Sequence, residues 1–217
     1  MIVLGITGGI GSGKSTVASV FSDFNAVILN ADQIGHDLLE TEEVKKQLVQ
    51  RWGTQILEDD KLSSPSRDSF PSQTFPLNRK KIAEIVFAPT DQGQQEREFL
   101  NRLLHPRICQ FIQKQLAFYR RKKQPFVVLD APLLLETGLD TLVDYQIFID
   151  AREEIRWNRV SSRHWSHTDF LQREQSQISP EEKRKRADFI LKNETSRHAL
   201  IPQVAAILDQ IQKNVSR

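Results

Sequence analysis

Gly8-Gly9-Ile10-Gly11-Ser12-Gly13-Lys14-Ser15 is the stretch on which the reading of this chain turns. It fits G-x-x-x-x-G-K-[ST], a loop whose backbone N–H groups turn inward around phosphate. Its flanks fit as well. Ile2–Thr7 is short, apolar and β-branched, as a buried strand is. Lys14–Asp23 carries Val17, Val20 and Phe21 at helical spacing. A helix starting at Lys14 adds the positive end of its dipole to the loop. The chain has 9 glycines, and five of them (Gly5, Gly8, Gly9, Gly11, Gly13) fall in its first thirteen residues. Such crowding suits a backbone that must bend sharply or be approached closely. A glycine-rich turn without a ligand is the competing reading.

Strand-like apolar runs recur at Ala26–Leu29, Phe126–Asp130, Tyr145–Ile149 and Phe189–Leu191. Helical patterns lie between them, over 34–39, 44–52, 78–87, 96–104, 107–121, 152–163 and 196–215. Pro106 is expected in the first turn of a helix, where its missing N–H costs nothing. The segment 58–76 is rich in Asp, Ser and Pro and reads as a loop or insertion. Strands apolar on both faces, alternating with helices, predict an α/β fold: a parallel sheet covered by helices on both sides. Ligands of such sheets bind at the carboxyl ends of the strands. Polar residues expected there are the glycine loop, Asp32, Asp130 and Asp150.

Composition narrows the function classes. Of 217 residues, 30 are Lys or Arg and 28 Asp or Glu, a formal +2, which makes no case for nucleic acid or a membrane surface. The 39% hydrophobic content excludes a chain disordered throughout. No apolar run reaches the length of a membrane span. The N-terminus reads as a strand, not a signal peptide. With one cysteine, Cys109, there is neither an internal disulfide nor a cysteine zinc site. A reducing, cytoplasmic location is the expectation.

Phosphate-loop chemistry assigns Lys14 to the β- and γ-phosphates, the Ser15 hydroxyl to Mg²⁺ and Thr16 to the α-phosphate. A switch GTPase would need Asn-Lys-x-Asp to read guanine, and Lys192-Asn193-Glu194-Thr195 does not supply it. Asp32 and a late run of arginines suit a small kinase instead. Transfer to a hydroxyl needs an acceptor in line, neutralised charge and a carboxylate near that hydroxyl. Asp32 can orient the hydroxyl and take its proton late; capping a helix at Gln33 is, taken alone, the commoner role for a strand-exit Asp. Arg152, Arg156, Arg159 and Arg163 share one helical face. Arg159, Arg163 and Arg173 fit either a solvated basic face or a mobile lid that holds phosphates and excludes water. Lys183-Arg184-Lys185-Arg186, after Glu181-Glu182, reads as a charged, solvated helix face.

Several segments together resemble the dephospho-CoA kinase family. They are Gly5–Thr16, Ala31-Asp32, Leu77-Asn78-Arg79-Lys80 with Val86-Phe87, Leu104-His105-Pro106, Ala131-Pro132-Leu133-Leu134-Leu135-Glu136, and Gln177 ahead of Ala187-Asp188-Phe189-Ile190 and Asn193. The resemblance runs from about residue 2 to 210. It implies a P-loop NTPase fold of the nucleoside-monophosphate-kinase-like kind. The parts would be a core (about 1–58, 126–158 and 187–217), a helical CoA-binding subdomain (about 60–125) and a lid (about 160–186). The implied reaction is ATP-dependent phosphorylation of the ribose 3′-hydroxyl of dephospho-CoA, the last step of coenzyme A synthesis, with Mg²⁺ as cofactor and the two small molecules as substrates.

The resemblance also implies roles for residues. Asp32 stands at the general-base position. Arg79, His105 and Glu136 match acceptor-side motifs, for substrate binding or for shaping that pocket. Arg159 and Asn193 fall at ATP-binding positions, Asn193 beside the adenine, and Arg163, Arg173 and Gln177 at lid positions. One departure is Asn30-Ala31-Asp32, where such kinases often carry Asp-Ala-Asp. Any metal duty of the first carboxylate would be lost or pass to Asp130 through water. Another departure is the long 63–75 segment. The alternatives are a different small-molecule or nucleoside monophosphate kinase on this scaffold, and a nucleotide-dependent binding protein.

Overall fold

The computed structural model describes residues 1–58, 75–161 and 166–215. Five strands, β1 (Ile2–Thr7), β2 (Ala26–Asn30), β3 (Phe126–Asp130), β4 (Tyr145–Asp150) and β5 (Phe189–Lys192), form one sheet in the order β2-β3-β1-β4-β5. Every pair is parallel. Each expected strand is present, within one residue at either end. Central strands buried on both faces are apolar along their length, and all of Phe126–Leu129 is buried, as is the Asp130 that ends the strand.

The chain divides into two compact units, 1–32 with 112–217, and 33–111. The first holds the sheet with α1 (Lys14–Asp23), α6 (Glu153–Ser161), α7 (His167–Gln175), α8 (Pro180–Arg186) and α9 (Ile201–Val215). Its core joins Leu4 and Ile6 of β1 to Val17, Val20 and Phe21 of α1, and Ile147 and Ile149 of β4 to Val204, Leu208 and Ile211 of α9. Truncating one such fully buried side chain to alanine costs about 2–5 kcal/mol. The parallel order places the ends of β1, β2 and β3 side by side, with Ile6 and Asn30 both paired to Asp130.

The second unit is helical. It contains α3 (Glu42–Trp52), α4 (Arg79–Val86) and most of α2 (Ala31–Leu39) and α5 (Asp91–Arg121). Val44, Leu48 and Trp52 pack with Ile56, Ile82, Val86, Leu103 and Leu104 in a core of their own. Residues 33–58, grouped with the nucleotide core by the sequence reading, therefore belong to this unit. The apolar face of α3 needs α4 and α5 to cover it. The chain either side of 59–74 is joined by the Leu57–Leu77 bridge and by Asn78 N–H donating to the Ile56 carbonyl at 2.7 Å. Most of the 63–75 insertion lies outside the described residues.

Two helices separated at Pro106 were expected; α5 instead runs through it for 31 residues. Proline removes one rung of the helical ladder. The carbonyl left without its rung is that of Arg102; at the next one, Leu103, Arg107 Nη1 donates at 2.8 Å.

Candidate active site

The glycine loop leaves β1 and ends where α1 begins. Gly13 stands at the N-cap in the left-handed region, φ 82°, and a Cβ there would lie 2.3 Å from Asn193 Nδ2. Only glycine meets both demands. A glycine offers no capping side chain, and the first turn of α1 carries no acidic residue. Its leading N–H groups are thus left to an anion. Lys14 folds back over the loop, its Nζ donating to the carbonyls of Gly8 at 3.1 Å and Gly9 at 3.2 Å. Burial lowers the Lys14 pKa to about 8; the charges of Lys183 and Arg156 lower it further, and Asp130 and Asp32 oppose them. An incoming phosphate would restore the full charge. Ser15 and Thr16 are exposed at the start of α1, whereas Ser12 is buried with its hydroxyl unpartnered.

Carboxylates stand at the ends of the neighbouring strands. Asp130 is 4% exposed and accepts Asn30 Nδ2 at 3.3 Å. Burial raises its pKa and the Asp32 charge adds to this, while Lys14 and Asn30 pull the other way. Asp32 is exposed in the first turn of α2, which begins at Ala31 directly after β2. Because the helix starts earlier than expected, Asp32 is not its N-cap. It remains on the helix's positive end. Lys14, Asp32 and Asp130 are thereby brought within electrostatic reach of one another.

Arg159 and Asn193 brace the loop from the other side. Arg159 Nη1 donates to the Ser12 carbonyl at 3.1 Å, and its Nη2 to the Asn193 carbonyl at 2.8 Å. Asn193 Nδ2 donates to the Ser12 carbonyl at 2.8 Å. Both side chains thus hold the loop's backbone. Arg173 is exposed on α7. Arg163 lies outside the described residues.

A second cluster was not foreseen. Lys183, expected on a solvated face, is 1% exposed. Its ammonium donates to Glu136 at 2.8 Å, to the Pro132 carbonyl at 3.1 Å and to Gln177 Oε1 at 3.3 Å. Glu136 Oε1 also accepts the Ile178 N–H at 3.0 Å, and its Oε2 is buried without a partner. Glu136 and Gln177 are therefore drawn together by a residue hidden in a basic run. The one available signal was Ser179-Pro180, a helix start that sets Lys183 one turn in and on its buried side. Arg156 was noted only as part of a basic face. It is buried against Gly9 and Ile10 and paired with Glu174.

Arg79 and His105 belong to the helical unit. Arg79 opens α4 and is exposed; His105 is half-buried in α5, and burial lowers its pKa. Among the described residues no group of three or more His, Cys, Asp or Glu could hold a metal, and no helix is long and apolar enough to cross a membrane.

A phosphate loop, an exposed carboxylate past β2 and arginines against the loop are shared by many P-loop kinases, and the comparisons separate them. A Bacillus cereus dephospho-CoA kinase is 31% identical over 209 residues, covering 95% of this chain and 96% of that protein. A solved dephospho-CoA kinase from Campylobacter jejuni superimposes with a TM-score of 0.66 at 26% identity, covering 98% of both chains. A solved Thermus thermophilus protein gives a TM-score of 0.73 at 29% identity, covering 96% of this chain and 97% of that one. The family model described as dephospho-CoA kinase matches residues 2–199, the sheet, the loop and the Lys183 cluster included, and with it the chain belongs to the dephospho-CoA kinase family.

Proposed function

We propose that this family's reaction, ATP-dependent phosphorylation of dephospho-CoA in coenzyme A biosynthesis, runs in this chain at the Gly8–Ser15 loop, with the ribose 3′-hydroxyl as acceptor. The observation that carries the assignment is the convergence of Lys14, Asp32 and Asp130 at the carboxyl ends of β1, β2 and β3. The loop N–H groups and the start of α1 take the β- and γ-phosphates, and Lys14 neutralises charge on them. Asp32, exposed and beside Lys14, orients the acceptor hydroxyl. As the bond from that oxygen to the γ-phosphorus forms and the bond to the ADP oxygen breaks, Asp32 takes the hydroxyl proton.

Mg²⁺ suits the donors available. They are hard oxygens: the exposed Ser15 hydroxyl and the Asp130 carboxylate, reached through water. With so few protein ligands, the ion would rely on nucleotide oxygens. When bound, it supplies charge neutralisation on the phosphates. Asp130 keeps a lone pair available to water while Asn30 fixes its orientation.

In this reading 160–186 acts as the lid, with Arg163, Arg173 and Gln177 closing over nucleotide while Arg159 and Asn193 keep the loop in shape. Arg79, His105 and Glu136 serve the acceptor side. The location is cytoplasmic, with neither nucleic acid nor membrane as partner.

ADP release with MgATP tests the proposal. Dephospho-CoA, AMP, CMP, gluconate and shikimate are each supplied separately, beside a sample without acceptor. Release only with dephospho-CoA, and a product bearing a 3′-phosphate, is the expected result. Preference for another acceptor, or hydrolysis indifferent to any acceptor, would overturn it.

A further inference from the structure

Arg156 occupies a position that a basic surface residue has no reason to take. It is 7% exposed, and its guanidinium lies 5.5 Å over the Phe170 ring. Nη1 donates to the Ile10 carbonyl in the middle of the phosphate loop at 3.2 Å and to Glu174 Oε1; Nη2 donates to Glu174 Oε2 at 3.1 Å. Both partners lie directly on Gly9. A Cβ there would fall 2.6 Å from Arg156 Nη1 and 3.0 Å from Glu174 Oε1. Gly9 is not among the glycines with positive φ, so what excludes a side chain there is this ion pair. Beside it opens a cavity of about 230 Å³ whose walls include Gly9, Asp150, Arg156 and Arg184.

A planar guanidinium offers two forks to a bidentate anion, end-on (Nη1 and Nη2) and side-on (Nε and one Nη), and here the end-on fork is the one whose Nη1 reaches the loop. Glu174 fills that fork, and thereby holds a negative charge against a loop shaped for phosphate. A nucleotide phosphate carries more charge than a carboxylate and has the loop N–H groups to receive it as well. The two anions cannot share the fork at low cost.

We propose that Arg156 is a phosphate-binding residue of the nucleotide site and that Glu174 is its resting partner, exchanged for the terminal phosphate when ATP binds. The inference rests on the reading of the glycine loop as the ATP site. Because Glu174 rides on α7, the exchange also tells the lid segment that a triphosphate, not a diphosphate, is in place.

Binding of ADP and of a non-hydrolysable ATP analogue, each measured by titration calorimetry on the full chain, separates the terminal phosphate from the rest. Arg156→Gln is expected to weaken the ATP analogue at least tenfold and ADP less than threefold. Glu174→Gln is expected to tighten the ATP analogue severalfold and to lower KM for ATP. The double variant should behave as Arg156→Gln alone, and Arg156→Lys should recover part of the loss. Unfolding midpoints without nucleotide confirm that each variant is folded. Should Glu174→Gln not fold, Glu174→Asp, with its shorter reach, is expected to shift ATP affinity in the same direction. Equal weakening of both nucleotides in both single variants would mark the pair as a structural clamp and overturn the exchange. So would unchanged ATP affinity in Arg156→Gln when the wild type binds ATP. A wild type that binds neither nucleotide would overturn the phosphate-loop reading itself.

Discussion

Asn30 Nδ2 donates to Asp130 Oδ2 at 3.3 Å, across the paired ends of β2 and β3. The contact explains how an amide can stand where a carboxylate would be expected. Asp130 is buried and already pushed toward its protonated form by burial and by Asp32. The amide supplies a donor and adds no charge. A second carboxylate at that distance would oppose ionisation of the first. Asn30→Asp is therefore expected to leave the fold intact and move the acid limb of the kcat/KM profile upward. An unchanged profile would mean that the ionisation of Asp130 does not limit turnover.

Lys14 bears on pH in the opposite sense. Its pKa in the folded protein is about 8, below the ordinary lysine value of 10.5, because burial disfavours its charge. The unfolded chain then binds more protons between those two values, so this group's contribution makes stability rise with pH from about 8 to about 10.5. Below pH 8 the folded state carries the full burden of a buried ammonium. Phosphate binding reverses the shift, and at pH 8 about half a proton should be taken up per nucleotide. Calorimetric titration in two buffers of different ionisation enthalpy reads that uptake directly; identical heats in both would remove the claim. Lys14→Met is expected to stabilise the free protein at pH 7 by about 1–3 kcal/mol while abolishing nucleotide binding. Denaturant unfolding without ligand checks the gain.

Asp32 can be separated from binding. It is exposed, and the glycine loop's backbone carbonyls are braced by Lys14, Arg156, Arg159 and Asn193. Asp32→Asn should leave ATP affinity within about twofold and lower kcat about 10²–10⁴-fold, the range of a lost general base. Near-normal turnover would remove Asp32 from proton transfer.

How far these features could be read from residues alone depended on whether the deciding force was local. Phe126–Leu129 and Ile2–Ile6 carry no polar side chain because both faces are covered, and such runs are visible without a fold. The glycine loop is visible because glycine is scarce elsewhere. Pro106 misled for the reason that makes proline informative: its local penalty is real, but the helix continues through it, with Leu103 and Leu104 buried before it and Ile112 and Leu116 buried after it. Residues 33–58, read with the core, fall in the helical unit, because helical periodicity gives a buried face and not the identity of its partner. Arg156 and Lys183 were hidden for a related reason. Burial of a charge is decided by a distant acceptor, here Glu174 and Glu136, and a run such as Lys183-Arg184-Lys185-Arg186 carries no mark of which member has one.

Lys183 gives the sharpest test of such a hidden charge. Its ammonium is held by Glu136, Gln177 and the Pro132 carbonyl, so it ties the segment after β3 to the chain entering α8. Removing it leaves the Glu136 carboxylate with the Ile178 N–H at Oε1 and nothing at Oε2. Lys183→Met is expected to cost about 3–5 kcal/mol, the range for breaking one half of a buried pair. Glu136→Gln alone strands the ammonium and should cost a comparable amount. Combining them removes both charges, and the double variant should recover at least about 2 kcal/mol over the sum of the single losses. Urea unfolding of the four proteins closes this cycle. If the pair serves the acceptor side as well as the fold, the double variant, restored in stability, will still show a raised KM for dephospho-CoA with KM for ATP little changed. Strict additivity in the cycle would show instead that Lys183 and Glu136 are stabilised independently, each by its backbone partners.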